Sequence, residues 1–413
     1  MNPSWLIVVA VVVLGVGACG DSDDSPGTPS PDSGPDGGSD GPLPDAGEDG
    51  EVDGSLDAPP DTIDGGDAGG ESDAKPPVVC PPGLTNCSDV CVDVGTSAAN
   101  CGGCGHDCQG GTCSEGVCQP VSLGTTAALD HPGDIQIDST NIYFTFGWGT
   151  NQSGLGKLPL AGGTPTPIVT GKSWINRLVS NSTSLFWSEY GSQPGANGSV
   201  STIAKTGGAS TSLAGNLAYP TSLAVDATHV YYAAQGWLIA RAPISGGTPE
   251  TLFTTSGAYD AFDITIDAAN IYFSLTGKAG SIQKVPLTGG TASVLATNAN
   301  YPYSITADSA HVYWADIGTA PTYADGTINR VPIVGGKVEV LAVAQCQPEA
   351  VRVDASYVYW VTACGGTVAR APLAGGPTRI LASGQKGPSF LALGEKTVYF
   401  TTSFGYDIMK VAK

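Results

Sequence analysis

Residues 311–314 read HVYW, and the chain has already written HVYY at 229–232. An aspartate stands four residues before each valine, Asp308 before Val312 and Asp226 before Val230, and an alternating apolar segment precedes it. Working outward in both directions, the pattern occurs seven times at intervals of 40 to 46 residues, with strands of the VYW type beginning at Ile142, Leu185, Val230, Ile271, Val312, Val358 and Val398. The position four residues earlier is Asp138, Asn181, Asp226, Asp267, Asp308, Asp354 or Gly394. These residue types close tight turns, because Asp and Asn bond the local backbone and Gly tolerates positive φ. The residue just before each strand is Asn141, Ser184, His229, Asn270, His311, Tyr357 or Thr397. A position that accepts Asn, Ser, Tyr and Thr as readily as His is a turn exit, so the two histidines belong to a repeat and not to a site.

Each unit continues into a third strand, such as LIARAPISGG or INRVPIVGG, and then a short fourth, such as ETLF or TRIL. Four short strands in a repeat of about 42 residues predict a blade of a β-propeller. The seventh unit ends after its third strand, while VSLGTTAA, residues 121–128, alternates like a strand ahead of the first unit. Seating the N-terminal strand in the last blade removes an exposed sheet edge. The expectation is an all-β, seven-bladed propeller over 119–413, closed by its N-terminal strand. A base recurs in the third strand at Lys157, Arg241, Lys284, Arg330, Arg370 and Lys410, and packing along neighbouring Tyr faces or against acids is the expected role.

The literal sequence YWAD, Tyr313 to Asp316, resembles the repeat of YWTD and NHL propellers and their TolB-like relatives. That resemblance implies the fold class and, by itself, no activity.

Ahead of the propeller, residues 1–18 carry an apolar run too short to span a bilayer and placed where an export signal belongs. Val16, Gly17 and Ala18 before Cys19 resemble the lipobox of bacterial lipoproteins, which implies cleavage after Ala18 and acylation of Cys19. Cysteine parity agrees: of 11 cysteines, eight fall in 80–118 and two are Cys346 and Cys364, so lipidation of Cys19 leaves an even number to pair. Most of the formal charge of -21 belongs to residues 19–79, an Asp/Gly/Pro linker with 17 acids and the single base Lys75. So polar a segment cannot offset its conformational entropy by burial, and a disordered tether is expected. The stretch with Cys80, Cys87, Cys91, Cys101, Cys104, Cys108, Cys113 and Cys118 is too short to hold itself by burial and reads as a disulfide-rich module. It resembles cysteine-rich modules of bacterial surface lipoproteins. A zinc site at Cys101, Cys104 and His106 is the competing reading, disfavoured by export.

These features imply a lipid-anchored protein of the bacterial cell envelope, at the outer membrane or cell surface. No basic face argues for nucleic acid. Within 119–413 there is no HExxH, GxSxG or GxGxxG, and GKS at 171–173 lacks the earlier glycine of a phosphate loop, since Thr166 stands there. Candidate ligand residues lie where the repeats differ. The long loops between second and third strands bring Trp148, Glu189, Tyr190, Tyr323 and Asp325, and the starts of the innermost strands bring Asp134, Arg177 and Asp263 to the channel mouth. Cys346 and Cys364 fall on the same face of blade 6 and are expected to bond. The favoured expectation is a non-enzymatic binding or scaffolding module for protein or glycan, with no cofactor. The rival is a lyase or lactonase with calcium or magnesium held by Asp134 and Asp263.

Overall fold

The computed structural model describes residues 77–147, 150–191, 197–234, 238–254 and 261–413. The signal segment, Cys19, the linker as far as residue 76 and Trp148 lie outside the described residues.

From residue 121 onward the chain forms seven four-stranded antiparallel sheets, six of them with their strands in sequence order from the channel outward. Blades 1 to 6 cover 132–172, 175–217, 222–254, 261–299, 302–345 and 348–382. Blade 7 takes three strands from 388–412 and its outermost from Val121–Thr125, which pairs antiparallel with Asp407–Ala412. The expected seven-bladed ring and its closing strand are therefore the observed architecture. In every blade the register of the third and fourth strands shifts at the same step, as at Ile239/Ala240, Ile328/Asn329 and, in the closing blade, Ile408/Met409. The closing strand thus occupies an ordinary fourth-strand place, bulge included.

The residues that open the second strands, from Ile142 to Val398, have no solvent exposure. Their blades pack face to face, so each apolar cluster spans two neighbours. Tyr313 and Ala315 of blade 5, for example, meet Val351, Val358 and Trp360 of blade 6. The turn aspartates do more than close turns. Asp308 Oδ1 accepts the N–H groups of Ala310 and His311 at 2.7 Å each, and its Oδ2 accepts the Tyr313 hydroxyl at 2.7 Å. The same tyrosine bond recurs at Asp226–Tyr231, Asp267–Tyr272 and Asp354–Tyr359. The tyrosine of the VYW strand thereby buries its ring and anchors its own turn.

The repeated bases join blades. Arg241, Lys284 and Arg330 donate to the carbonyls of Leu287, Ile333 and Leu373 in the next blade. Arg241 and Arg330 also pair with Glu250 and Glu339, and Arg370 lies 4.1 Å from the Tyr357 ring centre.

In the small module the pairs are Cys80–Cys91, Cys87–Cys104, Cys101–Cys113 and Cys108–Cys118. Cys346 and Cys364 are bonded within blade 6. Cys101, Cys108 and Cys118 bury Ala412 of the last strand, and His106 places Nε2 2.9 Å from the Lys413 carbonyl and Nδ1 2.6 Å from that of Cys101. The module is packed against the strand to which the ring closes.

Removing the Tyr313 hydroxyl (Tyr313→Phe) should cost about 1 kcal/mol in urea unfolding, and Asp308→Ala more, about 2–3 kcal/mol, since it also strands two backbone donors. Burial acts to raise the carboxyls of Asp226, Asp267, Asp308 and Asp354, but the backbone, tyrosine and, at Asp354, Lys413 donors outweigh it and hold them below their usual value. A carboxyl lowered in the native state stabilises it above the ordinary carboxylate range. These four carboxyls should therefore leave the unfolding midpoint unchanged near neutral pH and lower it as the pH drops below about 4.

Candidate functional site

The third residue of the innermost strand in blades 1, 2 and 4 to 7, with Ser222 at the equivalent place in blade 3, forms a ring around the axis: Asp134, Arg177, Ser222, Asp263, Ser304, Ala350 and Phe390. All seven line one central cavity of about 290 Å³. Four of them tie each blade to the next. Asp134 Oδ2 accepts the N–H of Leu178, Ser222 Oγ that of Ile264, Asp263 Oδ2 that of Ile305, and Ser304 Oγ that of Val351, at 2.9 to 3.1 Å. The remaining carboxylate oxygens are also taken, Asp134 Oδ1 by the Ile135 N–H and Asp263 Oδ1 by the Ser222 hydroxyl and the Ile264 N–H. Asp134 and Asp263 are 3% and 8% exposed, so both act as acceptors inside the wall of the ring. A calcium or magnesium ion held by this pair would have to draw on oxygens that already carry chain donors, a poor fit for an open cation shell.

Arg177 makes no such tie. Its guanidinium lies across the lumen, 5.1 Å from the Phe390 ring centre. Its Nε is buried and has no hydrogen-bond partner among the described residues. Desolvation opposes its charge, but Asp263, Asp134, Tyr303 and Tyr190 face it and more than compensate, so it stays firmly cationic. Burial raises the Asp134 carboxyl, against the pull of Arg177 and Arg352.

Tyr190, predicted from its loop, joins this cluster, with its ring edge-on to Tyr219 at 5.9 Å and its hydroxyl pushed up to about 12 by burial. The structure therefore brings together Asp134, Arg177, Tyr190 and Asp263. The other candidates are occupied elsewhere. Glu189 accepts from Trp187 Nε1 at 2.9 Å and pairs with Lys172 at 3.2 Å. Asp325 accepts the N–H and hydroxyl of Thr319 across its own loop, and Tyr323 is 9% exposed, its carbonyl bonded to the Gln347 N–H.

Three mouth residues escaped the sequence reading: Phe262, Tyr303 and Glu349. Each sits one position before a ring residue. In six blades a register shift between first and second strands falls here, as at Ala261/Ile264, Pro302/Ser304 and Pro348/Val351, and breaks the simple alternation of faces. The Phe262 and Tyr303 rings lie 4.7 Å apart. Glu349 accepts from Gln347 Nε2 at 3.0 Å, and burial pushes its carboxyl up to about 7, against the pull of Gln347 and Arg177. The mouth is thus a cation and a neutral-range carboxyl framed by aromatic rings.

No protein-family model matches the chain, and no curated protein does. Among solved structures, virginiamycin B lyase from Staphylococcus aureus is similar, with a TM-score of 0.59 at 14% identity over 71% of this chain and 98% of that one. A catalytically inactive form of that lyase with quinupristin gives 0.59 at 15% identity, over 71% and 99%. The WD40 propeller domain of Doa1 gives 0.52 at 11%, over 71% and 95%. At these identities the likeness shows the propeller fold alone, shared by a lyase and a WD40 domain.

The native Glu349 carboxyl keeps its proton between about 4.5 and about 7, where the unfolded chain has lost it. Stability should therefore decline as pH rises through that window and level off above it. Glu349→Gln should reduce this slope in thermal unfolding, leaving the part that Asp316, raised by burial to about 6, supplies; an unchanged slope would place the titrating group elsewhere.

Proposed function

We propose that this chain is a lipid-anchored protein of the bacterial cell envelope whose propeller binds a protein or glycan ligand at the channel mouth without transforming it. The observation that carries the binding reading is the division of labour in the ring. Asp134 and Asp263, the acids best placed for metal chemistry, are engaged in joining blades, while Arg177 lines the lumen and its buried Nε has no partner among the described residues. Partly exposed Tyr190, Phe262, Tyr303 and Phe390 around it suit recognition, since aromatic faces bury large area at small entropic cost. The anchor rests on the lipobox-like Val16–Gly17–Ala18–Cys19 and on cysteine parity.

A lyase or lactonase is the second reading, and the observation that favours it is Glu349, an acid near neutrality beside Arg177 and Tyr303. Calcium and magnesium separate the two. In the binding reading neither ion, in millimolar excess, shifts the melting temperature of the mature chain. An ion that stabilises the wild type but not Asp134→Asn would replace it with the enzymatic one. Tyr303→Ala should abolish retention of solubilised envelope ligand on immobilised protein while the melting curve stays cooperative. Cys19→Ser should move the protein from the membrane fraction to the soluble fraction; a variant that still sediments with membranes would end the anchor reading.

A further inference from the structure

We infer that the channel mouth recognises the carboxylate of an acidic sugar ring, with Arg177 as the group that takes the carboxylate. This rests on the binding reading above and names its ligand class. Hydrogen-bond accounting inside the cavity leads to it. Both oxygens of Asp134 and of Asp263 already carry donors from the chain. Arg177 lines the lumen and is partly exposed there, and its buried Nε has no hydrogen-bond partner among the described residues. A ligand that answers an open guanidinium donor must bring acceptors, and a carboxylate matches the planar fork of arginine with two parallel bonds.

Size and wall chemistry narrow the carrier. A lumen of about 290 Å³ lies at the lower edge of the range of about 300–1,000 Å³ for ligand pockets, room for one ring and not for a folded chain segment. Its wall beyond the ring is set with the polar side chains of Gln136, Ser180, Thr265 and Thr306. Its rim is aromatic at Phe390 and Tyr303. Polar walls with flat apolar plates at the opening match a hydroxyl-rich ring that has C–H faces, and match a fatty or aromatic acid poorly.

Charge makes the site sensitive to protons. Arg177 faces Asp134, Asp263, Tyr190 and Tyr303, with Arg352 on the far side of Asp134. An ionised Glu349 would repel an incoming carboxylate, whereas the protonated form adds a donor beside Arg177. Affinity should rise as the pH falls through about 7, the value to which burial pushes Glu349.

The test is calorimetric titration of the mature chain with glucuronate, with glucose as the neutral control, about one unit either side of pH 7. A short peptide with a free or amidated C-terminus serves as the competing carboxylate. Glucuronate should bind and glucose should not, with binding stronger on the acid side. Arg177→Gln should weaken it at least ~10-fold, the scale of a lost hydrogen bond to a charged group. Arg177→Lys, which keeps the charge without the fork, should recover part of it, and Glu349→Gln should bind with the pH dependence gone. The Arg177 side chain ties no blades together, so both variants should fold, and their melting curves check this. Equal binding of glucose, or glucuronate binding unchanged in Arg177→Gln, overturns the proposal. Arg177-dependent binding of the free peptide without glucuronate overturns the sugar assignment. If neither probe binds while Tyr303-dependent retention of envelope ligand persists, this inference fails and the binding reading stands. If that retention is absent as well, both fail.

Discussion

Seven sheets arranged about an axis hold their shape only while the ring is closed, and the pairing of Val121–Thr125 with Asp407–Ala412 is what closes it. Without that strand, blade 7 would present a free edge, and the face it shares with blade 1 would have no covalent link to keep it dry. Here residues from the two ends of the propeller meet. Leu123 and Ile408 join Ile135, Ile142 and Phe144 in one cluster, and Thr126 donates to the Tyr406 carbonyl. The cysteine-rich module adds a second hold at this seam. Its last cysteine, Cys118, lies three residues before the closing strand, and its buried sulfurs cover Ala412. A module that small needs disulfides to be rigid, and only a rigid module can restrain the strand it precedes.

Ring closure also sets the geometry of the channel. Once the blades are fixed in number, the same position of every innermost strand points toward a common centre, and the chain must say blade by blade what goes there. Four blades answer with a short acceptor, Asp or Ser, that reaches the next blade's backbone. Three do not. Arg177, Ala350 and Phe390 break the circle of ties, and the Arg177 guanidinium lies over the Phe390 ring. A seven-fold scaffold thereby acquires one polar, asymmetric mouth.

Much of this was legible in the sequence, for a physical reason. Period-two alternation, turn aspartates and Gly-Gly pairs are local rules, and a local rule repeated seven times is hard to misread. Gly162 and Gly163, at φ of +91° and +136°, show why that pair recurs at the turn into the fourth strand. Arg177 stood out because it broke the rule. Glu349 and Tyr303 did not, since a bulge brings a second residue of each strand to the mouth, and bulges leave no mark in the alternation. Glu189 shows the reverse error. It is an acid in a variable loop, but it ends a strand, and its position two residues after Trp187 lets it take the indole N–H. Nothing in the sequence connected His106 with Lys413, because contacts between a knot of disulfides and a strand about 300 residues away obey no local rule.

The bland alternative at blade 2 was available: Ser at 177 would have allowed the tie that Ser222 and Ser304 make elsewhere. Instead the chain keeps a guanidinium there, with a buried donor unmet, at a cost of about 1–3 kcal/mol. Around it stand two carboxylates locked by backbone N–H groups, which hold the arginine charged and cannot swing round to satisfy its Nε. Fold stability alone does not select such an arrangement, because a smaller residue would relieve the desolvation and strengthen the ring. A local choice that works against the global fold, at the point where all blades converge, is where a binding role is to be sought. The turn aspartates give the contrast: there every carboxylate meets its donors, and the result is scaffold.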